Sequence, residues 1–173
     1  ESGPGLACAL VMVDVTPRVE SEGKGRIGQF MKAHTHGFAS LEEAANVVAS
    51  FTSHRPRTKS PEGLMKNLRQ REDGRFYWHW DPNFLRGGEM HSFTDHARLM
   101  AAARRVCVPT LLVRGGASEI VSREGAMEFL DVIPGSEFVE ITKAHHMIAG
   151  DSNLDFSTAA ISFLSRRLSD FSS

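Results

Sequence analysis

The sequence predicts an α/β fold, in which a parallel sheet of about three strands packs against helices and is interrupted by an inserted helical module. Two observations predict this fold. Short apolar runs of strand length alternate with amphipathic segments of helical period. A long polar stretch without buried-strand character separates the first apolar run from the others. We therefore expect residues 1–17 and 91–173 to form the core, with residues 18–90 as the inserted module.

Three segments are predicted to be strands. Residues 7–15 (ACALVMVDV) form a valine-rich apolar run that ends at Thr16-Pro17, which is typical of a strand buried on both faces. Residues 109–114 (PTLLVR), closed by Gly115-Gly116, have the same character, and residues 137–141 (EFVEI) form a shorter candidate. Strands buried on both faces are typical of parallel sheets.

Helices are predicted from apolar periodicity and capping signals. In the core they cover residues 92–106, 122–132 and 153–168. In the module, Ser40 and Glu43 form a capping box for a helix through about residue 51. Ser60-Pro61 predicts a second helix that ends near residue 71, because proline is favoured at the first helical position.

Composition narrows the function classes. The 173 residues are 41% hydrophobic and 24% charged, with a formal net charge of -1, and the basic residues are scattered, so nucleic-acid binding is not expected. No apolar run approaches the roughly 18 residues of a membrane span, and the sequence starts without a signal-peptide pattern. We expect a cytoplasmic protein whose Cys8 and Cys107 are free thiols in apolar runs. The start without Met, close to a strand, predicts a chain that begins within a domain.

Two polar side chains follow neighbouring predicted strands. Glu119 lies in RGGASEIVS after the second strand, and His146 lies in KAHHMIAGD after the third. Ligands of open α/β sheets bind at the carboxyl ends of the strands. A carboxylate on one imidazole nitrogen leaves the other nitrogen free to take a proton. The sequence therefore predicts Glu119 as the acid and His146 as the base of a catalytic site.

These segments resemble a known family. PTLLVRGGASEIVS resembles the strand and acid turn of α/β-hydrolases of the esterase, non-haem haloperoxidase and epoxide-hydrolase type, and AHHMIAGD resembles their histidine loop. ALVMVDVTPR resembles the strand that follows the nucleophile elbow, after which these proteins insert a cap. The resemblance implies the C-terminal portion of a cofactor-independent hydrolase, with residues 18–90 as its cap. His145 stands where the family has glycine, so either adjacent histidine remains a candidate base.

A nucleophile is absent from the sequence. No G-x-S-x-G occurs in the 173 residues, and the glycine-rich oxyanion-hole segment is missing as well. The resemblance then implies that an N-terminal half or a second chain completes the sheet, with a homo-oligomer as a further alternative. The expected activity is cleavage of a small ester or related carbonyl substrate. Perhydrolase or haloperoxidase activity, epoxide or haloalkane opening by an aspartate nucleophile, and a non-catalytic half-domain that pairs its sheet edge with another chain remain alternatives.

Other side chains carry weaker predictions. The aromatic residues Tyr77, Trp78 and Trp80 either line a substrate pocket or pack the cap against the core, and Met147 is expected in the substrate pocket. Asp14 and Arg18, at the end of the first strand, either form a structural ion pair, which the pattern favours, or shape the pocket. No cofactor and no metal site are predicted. Five histidines are candidate metal ligands because imidazole binds metal ions, but no carboxylate or cysteine accompanies them at the spacing of a known site. These are His34, His36, His79, His91 and His96.

Overall fold

The computed structural model describes residues 7–52, 60–81 and 95–169. In chain order the elements are strand β1 (Leu10–Val13), helices α1 (Ser21–Ala33) and α2 (Leu41–Phe51), a 3-10 helix (Pro61–Lys66), strands β2 (Leu68–Gln70) and β3 (Phe76–Trp78), helix α3 (His96–Ala103), strand β4 (Thr110–Gly115), helix α4 (Arg123–Val132), strand β5 (Glu137–Ile141) and helices α5 (Ile148–Asp151) and α6 (Asn153–Ser169).

The described residues form two compact units. The first contains the residues up to Lys24 together with those from Asp95 onward, and the second contains the described residues from Gly25 to Asp81. The predicted boundary after residue 17 lies seven positions before this division. Helix α1 therefore starts in the first unit and continues into the second.

A three-stranded parallel sheet is the centre of the first unit. Its strand order is β1-β4-β5, with Leu10 opposite Thr110 and Leu111 opposite Glu137. Strand β4 lies in the middle and all six of its residues are buried. One face packs on a cluster that includes Phe163 of α6, and this burial holds the last helix on the sheet. The cluster consists of Leu111, Val113, Ile141, Ala144, Ile148 and Phe163.

The predicted α/β class and the three parallel strands are confirmed. Strand β5 has the predicted bounds, whereas β1 is shortened to four residues because Asp14 has a positive φ of 47°, which ends the extended conformation. The three helices predicted in the core are present, with ends that differ by a few residues among the described positions, and residues 92–94 of the first one lie outside the described residues. Cys8 and Cys107 are free thiols, but both are exposed, so their apolar surroundings in the sequence did not predict burial.

The second unit combines helix α2 with an antiparallel hairpin. Ser40 Oγ accepts from the Glu43 N–H at 3.1 Å, and Glu43 Oε2 accepts from the N–H of Ala39 at 2.6 Å, so the predicted capping box starts α2. Strands β2 and β3 pair with Leu68 opposite Trp78.

The prediction of a helix from Ser60 to about residue 71 is wrong. Only a 3-10 helix forms there, Ser60 does not cap its backbone, and the chain becomes strand β2. The reason is tertiary burial, since Leu68 packs with Phe38 and Ala44 in the core of this unit. No helix in the described ranges is long and apolar enough to span a membrane.

Candidate active site

Asp14 lies at the carboxyl end of β1, at the edge of the sheet where β4 and β5 also end. Its N–H donates to the carbonyl of Val113 at 2.8 Å, which continues the β1-β4 pairing by one residue. Its backbone then adopts the left-handed conformation with φ 47°, which aspartate tolerates better than most residues. The side chain is fully buried, at 0% exposure.

Three donors converge on the Asp14 carboxylate. The N–H of Gly115 donates to Oδ1 at 3.0 Å. The hydroxyl of Ser118 donates to Oδ2 at 2.5 Å, and His146 Nδ1 contacts the same oxygen at 2.8 Å. A buried carboxylate requires such compensation, because an unpaired charge away from water is costly. The arrangement therefore holds the carboxylate against the imidazole.

His146 is brought to Asp14 by the loop that follows β5. The loop is tied to the turn after β4, because the N–H of Gly116 donates to the Ile141 carbonyl at 2.9 Å and that of Ala117 donates to the Ala144 carbonyl at 3.0 Å. Gly115 is required for this approach, since a Cβ there would lie 2.5 Å from the His145 carbonyl oxygen.

The imidazole of His146 has one buried and one accessible side. Nδ1 faces Asp14, while the side chain as a whole is 41% exposed. With Nδ1 donating to the carboxylate, Nε2 is the nitrogen that can accept a proton. The backbone N–H of the adjacent His145 donates to Asp151 Oδ2 at 2.8 Å. Of the two adjacent histidines, His146 is the one whose ring contacts the Asp14 carboxylate.

Arg114 supports the turn after β4 from within the sheet. It is buried, its Nε donates to the Val121 carbonyl at 2.8 Å, and its guanidinium pairs with Glu140 of β5 at 2.6 Å. Arg123 adds a second contact to Glu140 at 3.3 Å. A buried charge held by both a carbonyl and a carboxylate fixes the geometry of the segment between Gly115 and Val121.

The predicted acid, Glu119, occupies a different position. Its side chain is exposed on the turn, and the carboxylate in contact with His146 Nδ1 belongs to Asp14. The sequence pattern favours Glu119 because it follows the strand next to the histidine loop, but the turn directs Ser118 toward the carboxylate instead. The sequence signal that could have identified Asp14 is a carboxylate directly after the last residue of a sheet strand.

The sequence favours a structural ion pair between Asp14 and Arg18. The structure places Asp14 on His146, while the carboxylates near Arg18 are those of Glu20 at 3.8 Å and Glu128 at 3.9 Å. Met147 follows His146 in the sequence and is 59% exposed. Its role in substrate binding stays a prediction.

The three predicted pocket aromatics lie together in the second unit. Tyr77, Trp78 and Trp80 line a small cavity of about 70 Å³. Trp78 also packs edge-on against Phe38 with centroids 5.4 Å apart, and its buried Nε1 has no hydrogen-bond partner in the described part of the chain. These contacts give Trp78 a packing role, and substrate binding by the aromatics stays a prediction.

The phenol of Tyr77 is bound within its own hairpin. Its hydroxyl donates to Asp73 Oδ2 at 2.7 Å, and the guanidinium of Arg71 lies 4.1 Å from the ring centroid. The hydrogen bond to the carboxylate raises the pKa of Tyr77 and lowers the pKa of Asp73.

The histidines do not assemble into a metal site in the part of the chain that the structure describes. There, no group of three or more His, Cys, Asp or Glu side chains is arranged to hold a metal ion. His34 Nδ1 is hydrogen-bonded to the Phe30 carbonyl at 2.8 Å, and His96 Nε2 lies 3.5 Å from Glu128. His91 lies outside the described residues.

Comparison of the sequence with known proteins gives one partial relative. No family model matches the chain. A segment of 64 residues is 42% identical to the 2-hydroxy-6-oxo-6-(2'-aminophenyl)hexa-2,4-dienoic acid hydrolase of Metapseudomonas resinovorans, and covers 37% of this chain and 22% of that protein.

Comparison of the structure gives longer matches. The crystal structure of E-2-(acetamidomethylene)succinate hydrolase matches with a TM-score of 0.74 at 21% identity, over 94% of this chain and 59% of that one. An esterase of Mycobacterium tuberculosis matches at 0.69 and 25% identity, over 94% and 56% of the two chains. An α/β-hydrolase of Novosphingobium aromaticivorans matches at 0.69 and 25% identity, over 95% and 58%. The chain thus spans somewhat more than half the length of these structures. Its fold is that of the α/β-hydrolases.

Proposed function

We propose that the protein containing this chain is a hydrolase in which His146 is the general base and Asp14, in place of Glu119, orients it. The observation that carries the proposal is the contact between His146 Nδ1 and the buried Asp14 carboxylate at the carboxyl edge of a parallel sheet. Catalytic groups of α/β folds gather at this edge. A carboxylate in this position fixes the imidazole tautomer and stabilises the imidazolium that forms during the reaction.

The chemistry follows from the free nitrogen of His146. Nε2 removes the proton of a nucleophilic hydroxyl, which we propose belongs to a serine in a segment outside these 173 residues. The hydroxyl oxygen bonds to the substrate carbonyl carbon, and the imidazolium then returns the proton to the leaving group. Water repeats the sequence on the acyl-enzyme, so that the carboxylic acid is released and the serine is restored.

The proposed substrate class is a small ester or a related carbonyl compound. The relative from Metapseudomonas resinovorans is named for a substrate that carries a 6-oxo group, which is a carbonyl, and structural neighbours include esterases. We propose that residues 25–81 act as the cap of this enzyme, and that Met147 contributes to the substrate-binding surface beside His146.

The test compares three variants of the full-length protein on p-nitrophenyl acetate. We expect His146→Ala and Asp14→Asn each to lower kcat/KM by on the order of 10⁴-fold, because the first removes the base and the second misorients it. Glu119→Gln is the matched carboxylate control and should remain within about twofold of wild type, since Glu119 is exposed and the carboxylate on His146 Nδ1 is that of Asp14. Circular dichroism verifies that each variant is folded.

The outcomes separate the two acids. If Glu119→Gln abolishes hydrolysis while Asp14→Asn retains it, the acid is Glu119 and the proposal for Asp14 fails. Because Asp14 is buried, Asp14→Asn could lose activity by unfolding, so Asp14→Glu provides a second variant that keeps the charge. Full activity of a folded His146→Ala protein would overturn the assignment of the base, because that side chain is partly exposed and its removal leaves the core intact.

A non-catalytic half-domain is the second candidate, and the observation that favours it is the edge position of β1. In the described sheet β1 pairs with β4 alone, and its four residues are only half-buried. An apolar edge strand readily pairs with another chain. Under this alternative the full-length protein has no esterase activity and the isolated 173 residues form a defined complex. A protein that hydrolyses esters and depends on His146 excludes it.

A further inference from the structure

We infer that Ser118 is a positioning residue of this site, which sets the oxygen of Asp14 that faces His146. The inference rests on the proposed function and adds a third side chain to the proposed acid and base. Ser118 lies on the turn after β4 and donates its hydroxyl hydrogen to Asp14 Oδ2 at 2.5 Å. His146 Nδ1 approaches the same oxygen at 2.8 Å.

The direction of the Ser118 hydroxyl is fixed by its own partners. The Ser118 oxygen accepts the N–H of Ile120 at 3.1 Å and that of Val121 at 3.2 Å. A hydroxyl has two acceptor lone pairs and one hydrogen, so both lone pairs are occupied and the hydrogen is left to point at the carboxylate. The serine therefore connects the backbone of the β4 turn to the acid that follows β1.

Without Ser118, Oδ2 of the Asp14 carboxylate would be held only by the imidazole that the carboxylate orients. The N–H of Gly115 binds Oδ1 at 3.0 Å, so without the Ser118 hydroxyl the β4 turn would hold only one of the two carboxylate oxygens. The hydroxyl at Oδ2 supplies the second point of attachment and sets the plane of the carboxylate. Because the imidazole follows that plane, Ser118 determines the direction in which His146 Nε2 points.

The same geometry argues against Ser118 as the nucleophile. A nucleophilic serine needs its hydroxyl hydrogen on the imidazole, whereas this hydrogen lies on the Asp14 carboxylate. The role assigned here is thus positioning, and Ser118 acts on the reaction through Asp14 and His146.

Ser122 provides a matched control on the same turn. Its hydroxyl also accepts a backbone N–H, that of Gly125 at 3.1 Å, where it caps helix α4. Ser122→Ala therefore removes one hydroxyl and a backbone hydrogen bond but leaves the three donors to Asp14 in place. It reproduces the structural cost of a serine deletion without the positioning effect.

The experiment measures kcat and KM for p-nitrophenyl acetate in the full-length protein. We expect Ser118→Ala to lower kcat by about 10- to 100-fold with KM within about twofold of wild type, because misplacement of the base affects the chemical step. Ser118→Thr keeps the hydroxyl and should restore kcat to within about fivefold of wild type. Ser122→Ala should leave both parameters at the wild-type value.

Proton NMR of the His146 Nδ1–H gives a readout that does not depend on turnover. This proton should resonate far downfield, and His146→Ala assigns it by its disappearance. We expect Ser118→Ala to shift or broaden the resonance, and Ser122→Ala to leave it in place. If Ser118→Ala has wild-type kcat and an unshifted resonance while His146→Ala is inactive, the inference for Ser118 is overturned and the proposed function stands. If His146→Ala is active, the proposed function itself fails.

Discussion

The contact between Gly23 of helix α1 and the turn after β4 gives a sharp test of how the site is held. A Cβ added at Gly23 would lie 2.1 Å from the Glu119 carbonyl oxygen and 2.8 Å from its carbonyl carbon. Both atoms belong to the backbone of the segment that carries Ser118. The two groups need to separate by about 0.9 Å to reach even 3.0 Å, so Gly23→Ala has to move the helix or the turn.

The expected cost follows from two opposing terms. Alanine is favoured over glycine in a helix by about 1 kcal/mol, whereas overpacking costs about 1 to 3 kcal/mol. Gly25 in the same helix is exposed, and its added Cβ meets nothing within 4 Å among the described residues. Gly25→Ala should therefore gain up to about 1 kcal/mol, and Gly23→Ala should be less stable than this control by about 1 to 3 kcal/mol.

The assay combines urea denaturation with the esterase measurement. The free energy of unfolding gives the cost of the contact, and kcat reports the position of the turn. A displacement approaching 1 Å near the acid should lower kcat by about 10- to 100-fold in Gly23→Ala, with no decrease in Gly25→Ala. If Gly23→Ala is as stable and as active as Gly25→Ala, the contact does not position the turn and this reasoning is refuted.

Three further predictions follow from single contacts. Gly115→Ala should abolish most hydrolysis, measured as kcat, because the added Cβ would lie 2.5 Å from the carbonyl oxygen of His145 in the histidine loop. An unchanged kcat would contradict this close approach. Asp73→Asn should lower the raised pKa of Tyr77 toward its ordinary value, because the Asp73 carboxylate disfavours the phenolate. Ultraviolet titration measures this pKa directly, since the sequence has one tyrosine, and an unchanged pKa would exclude the hydrogen bond. Phe163→Ala should lower the free energy of unfolding by about 3 to 5 kcal/mol in urea denaturation, whereas Ile161→Ala on the exposed face of the same helix should change it by under about 0.5 kcal/mol; equal effects would contradict the burial of Phe163.

The central strand was predictable because burial on both faces requires a continuous run of apolar residues in the sequence. Strand β4 reads as a continuous apolar run, and all of its residues are buried in the middle of the sheet. Strand β2 carries no such signal, since only Leu68 of its three residues is buried. Its pairing with β3 depends on contacts that are made by the folded unit, so a helix start at Ser60-Pro61 was the stronger local pattern.

His146 was predictable from its place after the last strand, whereas its carboxylate partner was not. Asp14 and Glu119 both follow strands of the parallel sheet, so the rule that ligand sites lie at the carboxyl edge admits either. Their difference arises from backbone geometry. Asp14 has a positive φ, and its side chain is directed toward His146. On the turn after β4, Ser118 contacts the Asp14 carboxylate, whereas Glu119 is exposed.

Strand β4 connects the proposed acid and the proposed base. It lies between β1, which ends just before Asp14, and β5, which leads into the loop of His146. On one side, the N–H of Gly115 binds Asp14 at the end of β1, and on the other side the N–H of Gly116 binds the last carbonyl of β5. Arg114 anchors the turn that follows, and Ser118 returns from that turn to the carboxylate. The distance between Asp14 and His146 is therefore set by the backbone of the central strand and its turn. Substitutions that displace the backbone of this segment should lower activity even where they touch neither the proposed acid nor the proposed base.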